Sequence, residues 1–129
     1  MLHVGLVGEA VMVVEDQHTA RVVGSGSVAV LATPMLIALM ERAAMAAVAG
    51  ELAVTETTVG TKIDVAHTAA TPMGLTVTAR AVLTEIDGRR LQFVVTAEDD
   101  AGNVGQGKHE RFVVEVEAFV ARAEKRLAR

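Results

Sequence analysis

The sequence predicts an α+β fold in which a curved antiparallel sheet of about five strands surrounds one central helix. Two observations support this prediction. Val22 to Met40, a stretch of 19 residues without charge, leads into the longest helical pattern of the chain. Downstream, four runs rich in Val, Thr, Ile and Phe are separated by turn-forming residues. One helix followed by a four-stranded meander, with an earlier strand available at the edge, is the arrangement of the hotdog fold.

The amino-terminal region predicts an edge strand and the approach to the helix. Ala10 to Glu15 has the pattern of a strand, and Asp16 to His18 supply a turn. A second extended piece is expected at Thr19 to Val23, before the small-residue loop Gly24 to Ser27.

The central helix is predicted over about residues 33–48. Thr33 is expected to be the N-cap, Pro34 suits the first helical position, and Gly50 provides a stop. Because the segment up to Val48 is almost wholly apolar, we expect it to be buried on every face. Glycines, a proline and the charges of Glu41 and its neighbour argue against a membrane span.

The second half of the chain predicts the strands. The four runs are Thr58 to Ala69, Leu75 to Ile86, Arg89 to Glu98 and Val104 to Val116. The pair Asp87-Gly88 is a strong hairpin signal. Residues 117–129 are expected to form a short surface helix. An isolated hotdog protomer leaves a sheet edge uncovered, so a homodimer with a continuous sheet is expected, or a higher oligomer built on it.

Composition limits the class of partner and the location. The 129 residues suit a single domain spanning residues 1–129. The absence of cysteine excludes disulfides, thiol catalysis and thiolate metal sites. A net charge of −4 and an aromatic content of 2% argue against nucleic acid as a partner, and no membrane partner is expected. No leader pattern follows Met1, which predicts a cytoplasmic protein.

Glu41 is the most informative single residue of the sequence. Its neighbours one helical turn away are Ile37, Ala38, Ala44 and Met45, none of which can pair with a charge. A carboxylate buried among them would be costly. It must therefore find a partner elsewhere, border a cavity or titrate abnormally.

His67 and Thr33 are weaker candidates when each is taken alone. Alternation places His67 with Ile63 and Val65 on the apolar face of a strand, where an imidazole is either a core residue or a functional one. Thr33 lies at a helix start, where free backbone N–H groups favour negative charge.

Several common sites are missing from the sequence. His3, His18 and His109 have no metal-ligand spacing, and no HExxH motif is present. Gly24 to Ser27 lacks the lysine of a phosphate-binding loop, and there is no GxSxG motif. We therefore expect neither a metal site nor a cofactor.

Several segments together resemble the fluoroacetyl-CoA thioesterase group of hotdog proteins. They are ATPMLIALMERA (Ala32 to Ala43), GTKIDVAHTAATPMGLTVTARAVL (Gly60 to Leu83), GRRL (Gly88 to Leu91) and HER (His109 to Arg111). The resemblance implies an acyl-CoA thioesterase acting on a small or medium acyl group, with coenzyme A as part of the substrate.

The resemblance also implies which residues carry the activity. The family's catalytic threonine, glutamate and histidine match Thr33, Glu41 and His67. The backbone of Gly60 is implied as a contact for the acyl group, and Arg111 matches an arginine near the family's pocket.

This chain departs from the family in one respect. Fluorine specificity in the family is associated with lid phenylalanines ahead of the threonine, and Gly24 to Ala32 contains none. Fluoroacetyl specificity is therefore not expected here.

Two alternatives stay open from the sequence: a non-catalytic acyl-CoA-binding protein, and an enoyl-CoA hydratase-like lyase using Asp64 and His67. Three apart on a strand, these two side chains point to opposite faces, which disfavours the lyase. The surface cations available for coenzyme A phosphates are Lys62, Arg80, Arg89, Arg90 and Lys108.

Overall fold

A computed structural model describes residues 1–128 and has the predicted hotdog architecture. Five antiparallel strands form one curved sheet in the order β1-β3-β4-β5-β2. The elements are β1 (Val7–Val13), α1 (Ala20–Val23), α2 (Thr33–Val48), β2 (Glu56–His67), β3 (Thr76–Asp87), β4 (Arg90–Asp99), β5 (Gly102–Glu115) and α3 (Val116–Glu124). Short 3₁₀ turns cover Asp16–His18, Ala49–Glu51 and Lys125–Leu127.

The amino-terminal region differs from the prediction in two places. The first strand begins three residues earlier than expected, at Val7. The piece Thr19 to Val23 is not extended: residues 20–23 form the single helical turn α1, which Gly24 ends with a φ of 91°. Glycine adopts this left-handed conformation without the steric cost of a Cβ.

The start of α2 also differs from the expectation. Ala32, with φ −71° and ψ 139°, is the N-cap, and Thr33 is already helical. The side chain of Thr33 makes no capping hydrogen bond, since its hydroxyl contacts His67 instead. A threonine one position inside the helix is thus free to serve another purpose.

Helix α2 packs its inner face on the sheet. Leu36, Leu39, Met40 and Ala43 are fully buried against strand residues such as Phe93. Close contact is possible at Gly8, where a Cβ would lie 2.2 Å from the carbonyl oxygen of Ala43. Each large apolar side chain buried here stabilises the fold by about 1.5–3 kcal/mol.

The expectation that α2 is buried on every face is wrong. Arg42, Met45 and Ala46 lie on an exposed face of the helix. By length and hydropathy alone, Thr33–Glu51 would suffice to cross a membrane. Its inner face is instead covered by the chain's own sheet, as expected for a core helix.

The predicted four-stranded meander is wrong for its first strand: β2 lies at one edge of the sheet and pairs with β5, whereas β3 pairs with β1 and β4. The register of β2 shifts between Gly60, opposite Arg111, and Lys62, opposite Glu110, so Thr61 forms a β-bulge. The bulge is held by the Thr61 hydroxyl, which donates to the Glu110 carboxylate over 2.6 Å. Bulges redirect side chains and are frequent beside active sites.

The hairpin and the carboxy-terminal helix follow the prediction. Gly88, with φ 61°, turns the chain tightly between β3 and β4. Helix α3 follows β5 directly and has no buried residue. Arg129, the last residue of the predicted tail helix, lies outside the described residues.

Candidate active site

Thr33 and His67 form the first cluster of the site. The helical start of α2 faces the end of β2, and the Thr33 Oγ1 lies 2.8 Å from the His67 Nδ1. Within the described residues, the buried Nε2 of His67 has no hydrogen-bond partner. Burial lowers the pKa of His67 from its ordinary value, partly opposed by the backbone of Ala69. The imidazole is therefore biased toward its neutral form and has one nitrogen available for another group.

Small residues surround this first cluster. A cleft of about 340 Å³ opens beside Thr33 and His67, walled by the loops 25–31 and 68–70. Ser25, Gly26 and Ala70 contribute to its lining, and among residues 1–128 the His67 imidazole is the one aromatic ring that does. A backbone hydrogen bond joins the two loops. The Leu31 N–H donates to the carbonyl oxygen of Thr71, the residue that follows the second loop, over 2.8 Å.

Glu41 belongs to a second cluster, eight residues further along α2. Its side chain is 39% exposed, and its Oε2 accepts a hydrogen bond from the Arg111 Nη1 at 3.3 Å. It also borders a cleft that includes Ile37, Gly60 and His109. The sequence excluded a partner on the helix itself, and two of the outcomes left open, a partner from elsewhere and a bordering cavity, both occur.

Gly60 brings the backbone of β2 against the carboxylate. A Cβ at this position would lie only 2.5 Å from the Glu41 Oε2 and 3.2 Å from the Arg111 Nη1. The glycine is required here by close approach, since its backbone has no left-handed φ. The main chain at Gly60, next to the bulge, therefore lies directly against the Glu41 carboxylate.

Arg111 is held rigidly at the centre of this cluster. It is 4% exposed, its Nε donates to the Thr58 Oγ1 at 2.8 Å, and its Nη2 donates to the Thr58 carbonyl at 2.9 Å. Its Nη1 also meets the Nε2 of buried His109 at 3.1 Å. Burial lowers the pKa of Arg111, and the Glu41 carboxylate opposes that shift.

The sequence patterns did not single out Thr58, and they gave His109 no role beyond its place in the HER segment and its rejection as a metal ligand. Alternation along β5 places His109 and Arg111 on the same face, and this signal was sufficient to link them. Thr58 is brought in by the pairing of β2 with β5, a long-range contact that local patterns do not reveal.

Within one chain, the structure does not bring Glu41 to His67. The rise of the helix separates Thr33 from Glu41 by about 12 Å. Gly60 and His67 are about 23 Å apart along β2. Within a single protomer Glu41 and His67 therefore border different clefts.

The surface cations differ in their availability. Arg89 pairs with Glu56 at 3.3 Å and Arg90 with Glu85 at 2.7 Å. No ion pair within residues 1–128 involves Lys62, Arg80 or Lys108. These three are the cations of the predicted set that are not already engaged. Asp64, the acid of the lyase alternative, is exposed and lies opposite Lys108 in the sheet register.

Comparison with known proteins identifies relatives of the chain. The family model described as fluoroacetyl-CoA-specific thioesterase matches residues 14–117. A fluoroacetyl-CoA thioesterase of Streptantibioticus cattleyicolor is 47% identical over 93 residues, covering 72% of this chain and 67% of that protein.

Solved structures give the same result. A fluoroacetyl-CoA thioesterase structure superposes with a TM-score of 0.90 at 38% identity and covers 97% of each chain. A variant of that enzyme in complex with fluoroacetate and CoA gives a TM-score of 0.86 at 40% identity, covering 92% of this chain and 99% of the other.

The fold and these relatives define a hotdog-fold thioesterase, an enzyme that hydrolyses acyl-CoA thioesters. More narrowly, the chain belongs to the fluoroacetyl-CoA-specific thioesterase family. The predicted activity and the predicted family are thereby confirmed.

Proposed function

We propose that the protein hydrolyses a small or medium acyl-CoA, with Thr33, Glu41 and His67 as the catalytic set of a site shared between two chains. One observation carries this proposal: the three residues fall into two clusters at separate positions along the edge strand β2. The His67 Nε2 is buried without a partner, whereas the Glu41 carboxylate borders an open cleft. The first cluster supplies an imidazole nitrogen without a partner, and the second cluster supplies the carboxylate that the first lacks.

A homodimer built through β2 would join the two clusters. Antiparallel pairing keeps the sum of the partner residue numbers constant. A two-fold axis between Ile63 and Asp64 therefore sets Gly60, and with it Glu41, opposite the partner's His67. The exposed edge of β2, with Ile63 38% exposed, and the exposed face of α2 are the surfaces such a dimer would cover.

The chemistry follows from the groups assembled. Glu41 takes a proton from water, whose oxygen attacks the thioester carbonyl carbon, and backbone N–H groups near Gly60 stabilise the resulting oxyanion. Collapse of the tetrahedral intermediate breaks the C–S bond and releases free acid and the thiolate of coenzyme A. A thiol pKa of about 8.5 means that the departing sulfur needs little protonation.

A covalent route has the same outcome. Glu41 would attack the carbonyl carbon directly, and the C–S bond would break as the coenzyme A thiolate leaves and an acyl anhydride forms. Water then hydrolyses the anhydride to the free acid and regenerates the Glu41 carboxylate. In either route His67 orients the nucleophile or relays its proton, and Thr33 holds His67 or the substrate. Arg111 holds Glu41 in place through the hydrogen bond from its Nη1.

The first cleft bears on the choice of acyl group. Its walls include small residues such as Gly26 and Ala70. Because the loop ahead of Thr33 lacks phenylalanine, we propose that the enzyme does not select fluoroacetyl over other small acyl groups. Lys62, Arg80 and Lys108 are the available cations for the coenzyme A phosphates. We further propose that the enzyme acts in the cytoplasm and needs no cofactor.

The activity is tested by release of free thiol from a panel of short, aromatic and long-chain acyl-CoAs. Glu41→Ala and His67→Ala are expected to abolish release while leaving a folded dimer. Wild-type turnover by both variants on every accepted thioester would refute the assignment.

The shared site is tested by mixing these two inactive variants. Random exchange makes half of the dimers mixed, and each mixed dimer has one intact site, so about a quarter of wild-type activity should return. A site contained in one chain would give no recovery, because every chain then carries a lesion.

A further inference from the structure

His109 is a buried residue with a hydrogen-bond partner at each ring nitrogen. It is 2% exposed, and its Nδ1 lies 2.7 Å from the Lys62 carbonyl oxygen. A carbonyl oxygen can only accept, so the Nδ1 must carry the proton. In the neutral ring the Nε2 is then an acceptor, and it faces the Arg111 Nη1 at 3.1 Å.

This tautomer provides a hydrogen-bond acceptor for Arg111. The guanidinium has only donors, and its Nη1 lies between the His109 Nε2 and the Glu41 Oε2, at 3.1 Å and 3.3 Å. Thr58 occupies the remaining edge of the guanidinium through two further hydrogen bonds. Removing the acceptor at His109 would leave one side of the Nη1 without a partner.

We propose that His109 is a positioning residue of the thioesterase site. The Lys62 carbonyl fixes its tautomer, its Nε2 orients the Arg111 guanidinium, and the guanidinium in turn sets the position of the Glu41 carboxylate. This inference rests on the proposed catalytic role of Glu41. It makes the activity depend on His109 staying neutral, because imidazolium cannot accept a hydrogen bond from arginine.

The groups around the ring act on the pKa of His109 in both directions, and burial decides the outcome. From β5, Arg111 faces the ring and disfavours a second cation, while Glu110 on the same strand and Glu41 from α2 favour the charged form more weakly. Strand β4 contributes the ring of Phe93, 6.3 Å away between centroids, and β2 contributes the Lys62 carbonyl, whose hydrogen bond raises the pKa of His109. Burial is the largest effect and lowers the pKa of His109.

Two substitutions separate the functions of the two ring nitrogens. His109→Gln places an amide oxygen near the Nε2 position, so it retains an acceptor for Arg111 but cannot titrate. His109→Asn retains a donor near the Nδ1 position for Lys62 and loses the acceptor. The exposed His3, changed to Gln, is the matched control for loss of a histidine.

Steady-state hydrolysis across pH is the first measurement. We expect His109→Asn to lower kcat about 10- to 100-fold with little change in KM, as for loss of a hydrogen bond to a charged group. His109→Gln should stay within about threefold of wild type and give a shallower fall in kcat at acidic pH. Equal losses in the two variants, or an unchanged acidic limb in His109→Gln, would overturn the proposal.

Nitrogen-15 NMR of the wild-type protein provides a readout independent of activity. At neutral pH the His109 ring should show the Nδ1–H tautomer, with the Nε2 unprotonated; an Nε2–H tautomer would overturn the proposal even if a variant failed to fold. If Glu41→Ala retains full activity, the proposed function fails instead, whatever the tautomer of His109.

Discussion

Replacing Gly60 by alanine tests how closely the Glu41 carboxylate is positioned. The new Cβ would lie 2.5 Å from the Glu41 Oε2, where ordinary contact begins at 3.4 Å, so the carboxylate must retreat by about 0.9 Å. Glu41 is partly exposed and flexible at its end, so it can move without disturbing the core. A displacement of about 1 Å in a reacting group costs about 100-fold in rate, or about 2.7 kcal/mol of transition-state stabilisation.

Folding should change much less than catalysis, because the other two close neighbours of the new Cβ, the Arg111 Nη1 and the His109 Cε1 at 3.2 Å, need to move by only a few tenths of an ångström. Alanine restricts the unfolded chain, which contributes about 0.5 kcal/mol toward stability and offsets the cost of moving a side chain. The measurements are kcat/KM by thiol release and the urea midpoint of unfolding. Gly50→Ala is the control, because a Cβ there meets nothing within 4 Å. A Gly60→Ala enzyme within about threefold of wild-type kcat/KM would refute the placement of Glu41 in the reaction.

Three further predictions concern the first cluster and the core. Thr33→Ser should retain far more activity than Thr33→Val, because the hydroxyl contacts the His67 Nδ1 at 2.8 Å; equal rates would remove the hydroxyl from the mechanism. Gly8→Ala should destabilise the fold by about 3 kcal/mol or more, since its Cβ would lie 2.2 Å from the Ala43 carbonyl oxygen and 2.3 Å from the Ala47 nitrogen; an unchanged urea midpoint would contradict this. Burial lowers the pKa of His67, so the stability that its neutral form contributes is full above about pH 6.5 and is lost as pH falls toward the lowered pKa of the folded state. His67→Gln should therefore reduce the decline of the urea midpoint at acidic pH. An identical decline in the variant and the wild type would contradict this role of His67.

Local patterns were sufficient for most of the elements, whereas the candidate set Thr33, Glu41 and His67 came from the family resemblance together with the isolation of Glu41. Hydrophobic periodicity predicts α2, and the isolation of Glu41 among apolar neighbours follows from helical spacing alone. The partner of Glu41 could not be predicted from local patterns. Arg111 lies 70 positions away and reaches the acid only because β5 pairs with β2, a register that no local pattern specifies.

Two errors at α2 have a common physical origin. Thr33 matches an N-cap by residue type, but the N-cap is the last residue with extended dihedral angles before the helix, and that residue is Ala32. The apolar character of the helix predicts burial on all sides, whereas the sheet of one chain covers a single face. The composition of a helix indicates how much apolar surface needs to be buried. It does not indicate whether the same chain or another chain covers that surface.

The contact of Gly8 with the main chain of α2 determines how the enzyme can adapt to its substrate. A helix seated on long side chains can shift when their rotamers change, but here backbone rests on backbone. The spacing of Thr33 and Glu41 along α2, and their orientation toward the sheet, are therefore fixed. Accommodation of acyl chains of different length is left to the rim loops around Gly26 and Ala70, so substrate range can diverge through loop changes while the reacting groups keep their geometry.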